Sequence, residues 1–362
     1  MGTIRLILAT AVIIFHSSSI FGIQSVGGQI AVQAFYIISG FYMALILNEK
    51  YIGINNSYKL FISNRFLRIY PIYWIVFIIT IIASIASNIY TNGNNAGALN
   101  AYIKYGNHLG VLSYVYLIVS NIVIFLQDAV FFLGIQIPEG NLFFTSNFKD
   151  TFPPLYTFYF VPQAWTIGIE LTFYLIAPFL ARRNLKVLLS LIFLSLMLRL
   201  ILIHNGLFAD PWSYRFFPTE LVFFLLGIIS YRFYSYLNKF NLNQYICKII
   251  FIIILLMITF YDSINFPGKY FIFFFFFFSC LPFIFILTKG WKFDKYIGEL
   301  SYPMYISHLL LLRVLNVLKI PLLGSFGLTL TILTILFSIT LNELINKRIE
   351  KLRQNRIHSL VN

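Results

Sequence analysis

Arg5 and His16 stand eleven residues apart in an otherwise apolar stretch, Thr3 to Ile20. Eleven helical steps of about 100° close three turns, so both side chains share one face, about 16 Å apart along the axis. A cationic guanidinium at a membrane edge and a titratable imidazole deeper in hydrocarbon suggest a site. The structural alternative is an anchoring Arg and a His bonded to a neighbouring helix, set against the rarity of ionisable groups inside spans. Glu170 lies within the apolar segment Gln163 to Pro178. Counting from Pro162 places it about 12 Å below the outer surface, while His16 comes within about 14 Å of that surface. The two could therefore meet near the midplane, where a carboxylate would fix the imidazole's tautomer and orient it as a general base; the alternatives are a structural His–Glu hydrogen bond or helix rotations that keep them apart. Arg65 and Arg68 sit three apart at the start of the third apolar run. Two donor forks on one face suit a phosphate-rich ligand, although taken alone the pair reads first as lipid-headgroup anchoring. Ser301, Tyr305 and His308, spaced by four and three, draw a polar stripe that serves either packing or chemistry.

Membrane helices have to position these residues. The chain has 362 residues, 59% hydrophobic and only 10% charged, with a mean hydropathy of +0.83. That composition predicts an all-α polytopic transmembrane bundle and excludes a separate soluble domain. Eleven runs are long enough to be considered: Thr3 to Ile20, Ile30 to Leu47, Ile69 to Tyr90, Leu112 to Gly134, Ala164 to Leu180, Val187 to Ile203, Thr219 to Tyr236, Tyr245 to Tyr261, Tyr270 to Leu287, Pro303 to Leu318 and Leu322 to Ile345. Arg5 precedes the first run as in a signal peptide, but no small-residue cleavage site follows, so that run is read as a retained span.

The formal charge of +14 is spread over span ends rather than gathered in one patch, so it encodes orientation and not nucleic-acid binding. Basic residues follow the second, fifth, seventh, ninth and last runs, at Lys50 to Arg68, Arg182 to Lys186, Arg232 to Lys248, Lys289 to Lys295 and Lys347 to Arg356. The positive-inside rule places all of them, with Arg5, in the cytoplasm. Alternation then requires that Leu112 to Gly134, which carries Asn121, Gln127 and Asp128, not cross once. About ten spanning helices are expected, plus one re-entrant or interfacial segment, with both termini cytoplasmic. Residues 1–346 form the membrane domain and 347–362 a basic cytoplasmic tail. Cys247 and Cys280 lie in separate apolar runs without ligand spacing, so no disulfide and no metal site is expected. Pattern alone leaves open an enzyme using an anionic cytoplasmic cosubstrate and a lipid-linked glycan flippase or other polytopic transporter.

Five segments, in order, resemble the acyltransferase-3 family of integral-membrane O-acyltransferases that modify bacterial surface polysaccharides. They are Arg5 with His16; Ala31 to Phe41, including Ser39 and Gly40; Arg65 to Pro71 with Arg68; Trp165 to Glu170 with Phe173, Tyr174 and Pro178; and Ser301 and Tyr302 with Tyr305 and His308. The resemblance implies a protein of the bacterial cytoplasmic (inner) membrane that transfers an acyl group, usually acetyl, from acyl-CoA to a sugar hydroxyl of a lipid-linked or surface polysaccharide. It implies no tightly bound cofactor, with acetyl-CoA as cosubstrate. His16 would be the catalytic base or acyl acceptor, supported by Glu170, and Arg5, Arg65 and Arg68 would hold the phosphates of coenzyme A. Ser39, Trp165, Tyr174, Ser301, Tyr305 and His308 would be signature or substrate contacts. Membrane lipids and polysaccharide-biosynthesis proteins are the expected partners. Two positions where relatives often carry an acid hold Gly2 and Gln33 instead. The chain stops at Asn362, soon after its last span, so a member without an appended SGNH-type esterase domain is expected.

Overall fold

In hydrocarbon every backbone polar group must bond within its own segment, and the computed structural model resolves the apolar runs into helices accordingly. The structure describes residues 1–51 and 57–361, without the side chains of 357–361; Asn362 of the basic tail lies outside the described residues. The helices are α1 (Gly2–His16), α2 (Gly27–Glu49), α3 (Ser57–Tyr90), α4 (Asn100–Tyr105), α5 (Val111–Val123), α6 (Trp165–Leu180), α7 (Leu185–His204), α8 (Phe217–Leu237), α9 (Gln244–Thr259), α10 (Lys269–Thr288), α11 (Lys292–Leu318), α12 (Phe326–Leu341) and α13 (Lys347–Val361). A π turn, Asn342–Asn346, joins the last two into one rod. By length and composition α2, α3, α7, α8, α10 and the α12–α13 rod can cross a membrane, while α1, α5 and α9 are shorter apolar helices. The fold is the expected all-α polytopic bundle.

Side chains tie the basic segments together at one end. Arg182 donates to the carbonyls of Leu47 and Tyr51, and Lys289 donates to Asn238. Arg356 reaches Ser63 and Asn64 at the start of α3. At the opposite end the segment between α3 and α6 forms an ordered cap, whose hairpin pairs β1 (Leu133–Gln136) with β2 (Asn141–Phe144) from Leu133↔Phe144 to Gln136↔Asn141.

The fourth apolar run turns back on itself rather than continuing as one helix. The chain enters at Gly110, whose N–H donates to Gly140 O at 3.0 Å, so the two ends of the excursion meet. Between them α5 descends to the level of mid-α3 and stops. Its last carbonyls, Asn121, Ile122 and Val123, accept from Tyr73, Trp74 and Tyr70 of α3, with the Trp74 bond at 2.9 Å. A helix ending inside the bundle leaves orphan acceptors, and three polar-tipped aromatic rings satisfy them. Ile124 and Leu126 then adopt positive φ, and the chain turns back.

Small residues set the helix spacing. A Cβ on Gly40 would lie 2.0 Å from Phe224 O, and one on Gly227 2.0 Å from Ile37 O, so α2 and α8 cross with their backbones in contact. A Cβ on Gly2 would lie 1.6 Å from Asp294 O, which locks α1 beside α11. The Asp294 carboxylate caps α1 from there: it accepts from the amides of Gly2 (2.7 Å) and Thr3 (2.8 Å), from Thr3 Oγ1 (2.8 Å) and from the terminal amine (2.7 Å). Burial alone would raise this carboxyl, but those donors outweigh it and hold Asp294 below its ordinary value.

Candidate active site: a cationic cavity and a histidine pair

The basic end opens into a cavity of about 460 Å³, inside the roughly 300–1,000 Å³ of small-molecule sites. Arg5 of α1, Arg65 and Arg68 of α3, and Lys50, Lys289, Lys295 and Arg353 all line it. Facing these seven cations are four carboxylates, Glu170, Asp294, Glu299 and Glu350, and Asp294 is committed to capping α1. Crowding like charges in a low dielectric is costly unless an anion joins them, so the lining suits a polyanion. The three arginines expected from the sequence therefore do converge on one cavity.

Glu170 and its neighbours lie deeper in the same cavity. Its Oε1 accepts from Ser39 Oγ at 2.6 Å and from Tyr174 O–H at 2.5 Å. Tyr174 follows Glu170 by four residues, one turn of α6. Ser39 reaches it from α2, on a turn where the adjacent Gly40 faces α8, so the Ser-Gly pair serves two neighbours at once. Tyr174 also stacks near Arg65, whose guanidinium carbon lies 6.0 Å from the Tyr174 ring and 5.8 Å from Phe61. Ser301, Tyr302 and Tyr305 of α11 complete the wall.

On α6 the lining begins at Thr166, and on α11 it reaches no further than Tyr305. Thr166 Oγ1 donates to Tyr305 O–H oxygen at 2.8 Å, and Tyr305 donates to Gln163 O at 3.1 Å. One turn beyond, His308 is fully buried, and its Nδ1 bonds Tyr305 O at 2.6 Å. A carbonyl can only accept, so Nδ1 carries the proton and Nε2 presents its lone pair. That Nε2 is buried without a hydrogen-bond partner. The His308 ring lies 5.2 Å from the ring of His16, inclined by 34°. His16 ends α1 and is exposed, so it is the accessible member of the pair.

The expected contact between His16 and Glu170 is not formed. The ring contacts of His16 go to Phe15 and His308, the bonds of Glu170 go to Ser39 and Tyr174, and among the described residues no hydrogen bond or ion pair joins the two. The depth count misjudged where α6 starts. Gln163 Nε2 donates to Ile306 O at 2.6 Å, so α6 begins level with the middle of α11, already inside the bundle. Glu170, seven residues further, then lies about 10 Å deeper. α1 also stops at His16 rather than continuing to Ile20.

Trp165 does not line the cavity. It packs on the other side, where Arg215 lies 4.2 Å above its ring and 3.8 Å from Phe131, held by both oxygens of Asp210. The missing acids have substitutes in space. Gln33 Nε2 donates to both oxygens of Glu220 (3.0 and 3.1 Å), and Tyr270 donates to Gln33 Oε1. Glu220 is in turn paired to Arg199 of α7 at 2.9 Å. Beside Gly2 stands the carboxylate of Asp294. Asp294, Glu220, Lys50, Lys295 and Arg353 were not singled out from the sequence; only their charge marked them, and charge is common at span ends.

An uncharacterized protein of Aquifex aeolicus (strain VF5) is 27% identical over 221 residues, covering 57% of this chain and 94% of that relative. No solved structure matches. The acyltransferase domain that defines the acyltransferase-3 family matches residues 2–343, nearly the whole helical bundle, and the chain therefore belongs to that family of membrane acyltransferases.

Proposed function

We propose that this protein is an O-acyltransferase of the bacterial cytoplasmic membrane, moving an acyl group, acetyl in the first instance, from acyl-CoA to a sugar hydroxyl of a lipid-linked or surface polysaccharide. One observation carries the reading: a cavity lined by seven cations ends against Thr166 and Tyr305, one helical turn from the His16–His308 pair. Asp294 and Tyr305 are eleven residues apart on α11, so the cavity runs about 16 Å from its mouth to that end. A long donor with phosphates at one end and a thioester at the other matches this polarity. Arg5, Arg65 and Arg68 bind the phosphates, and the basic end faces the cytoplasm, where acyl-CoA is made.

At the far end His16 takes the proton of the acceptor hydroxyl. The oxygen attacks the thioester carbonyl, an O–C bond forms, the C–S bond breaks, and the thiolate leaves after receiving the proton from His16. His308, held through Nδ1 by Tyr305 O, packs its ring 5.2 Å from that of His16 and positions it. Glu170 holds Ser39 and Tyr174 and balances the arginines within the donor cavity.

Mass spectrometry of surface glycan, with and without mild base, tests this in a deletion strain complemented by wild type or His16→Ala. Esters should be absent in the deletion and in His16→Ala, and present with wild type. Wild-type ester content with His16→Ala overturns the assignment. Unchanged esters in the deletion, with glycan stranded on the inner leaflet, identify a flippase instead.

A further inference from the structure

The basic segment after the last span packs as a wall of the cavity. α13 lies across the start of α3: Arg356 Nη2 donates to Ser63 Oγ at 2.8 Å and Nη1 to Asn64 Oδ1 at 3.3 Å, on the turn that carries Arg65. This places Arg353, only 5% exposed, in the cavity lining beside Arg65, itself 6% exposed. Glu350 pairs with Arg353 through Nη1. The Nε–H groups of Arg353 and Arg65 are both buried and have no hydrogen-bond partner among the described residues. A buried donor without an acceptor costs about 1–3 kcal/mol, and more when charged. Burial, together with the nearby Arg65 and Arg68, makes the charge on Arg353 unfavourable. One tetrahedral oxyanion between the two guanidiniums would satisfy both Nε–H groups and relieve the repulsion.

We propose that Arg353 is a donor-binding residue that, with Arg65, grips the phosphate of the donor nearest the cavity mouth, so that α13 is part of the substrate site. This rests on the reading of the cavity as an acyl-CoA site. Glu350 then competes with the phosphate for Arg353 and is displaced when the donor binds. The pantetheine and thioester portion, lying deeper, does not meet α13.

The test uses the full chain in nanodiscs with two acyl donors, acetyl-CoA and acetyl-pantetheine, which lacks the phosphates, and with inorganic pyrophosphate as a binding probe. Arg353→Gln and Arg353→Ala should raise KM for acetyl-CoA about tenfold or more, the loss of one charge-assisted contact. KM for acetyl-pantetheine and kcat should stay at the wild-type level. Lys351→Gln removes a charge from an exposed position of the same helix and should change neither. Glu350→Gln, which frees Arg353, should lower KM for acetyl-CoA. Wild-type KM for acetyl-CoA in both Arg353 variants overturns the proposal, as does an equal rise with acetyl-pantetheine, the mark of a merely structural role. Should wild type bind pyrophosphate but not acetyl-CoA, the donor assignment falls; loss of pyrophosphate in Arg353→Gln would then still uphold the anion site. Binding of neither probe to wild type defeats both.

Discussion

The proposed function assigns donor binding and chemistry to different parts of the molecule, so two single substitutions should separate them. His16 lies outside the cationic cavity and Arg68 lines it. His16→Ala removes the proton acceptor, and general-base groups contribute about 10²–10⁴-fold to rate. No atom of the cavity wall changes, so the Kd for coenzyme A should stay within about twofold of wild type. Arg68→Ala removes one guanidinium from a phosphate site. A hydrogen bond to a charged group contributes about 1.5–3 kcal/mol, which corresponds to roughly 10- to 100-fold in Kd. Its kcat at saturating donor should fall far less than that of His16→Ala. Equilibrium binding of coenzyme A to protein in nanodiscs gives the first quantity, and transfer of radiolabelled acetyl to isolated acceptor glycan gives the second. If His16→Ala loses coenzyme A in step with transfer, the cavity extends to the imidazole and the separation is wrong. If Arg68→Ala binds coenzyme A as wild type does, the cations serve lipid and not donor.

Two further predictions concern stability. Asp294 is held below its ordinary value near 3.8, so its capping contribution is fully present above that value and is lost as pH falls through the lower folded-state value. Thermal melts in detergent should therefore fall with acidification below about pH 4 in wild type, whereas Asp294→Asn should start lower and lack this pH dependence; parallel curves would remove the cap from the account. Arg199→Ala strands the fully buried Glu220 carboxylate with Gln33 as its remaining partner in the network and should cost about 3–5 kcal/mol, with Arg199→Met plus Glu220→Leu recovering most of it. A melting point for Arg199→Ala equal to wild type would show that the pair carries no stability.

At Gly2 and Gln33 the nearby acid comes from another helix. Gly2 and Gln33 lack carboxylates, yet Asp294 from α11 and Glu220 from α8 bring one to each. A sequence pattern compares positions along one helix, whereas charge balance is settled between helices. For the same reason Arg353 could be read only as tail charge: its distance from Arg65 in sequence says nothing of their meeting in the cavity.

Hydropathy marked the apolar helices, because a bilayer admits few other backbones, and the basic loops required that the fourth run not cross once. The same spacing rules put Arg5 and His16 on one face, and Ser301, Tyr305 and His308 on another. Periodicity fixes which residues share a helix face, but not which face meets which neighbour. That was decided by backbone contacts at Gly2, Gly40 and Gly227, and by the level at which α6 begins inside the bundle. The packing gave His16 the ring of His308 rather than Glu170, gave Glu170 to Ser39 and Tyr174, and laid α13 against the cationic cavity.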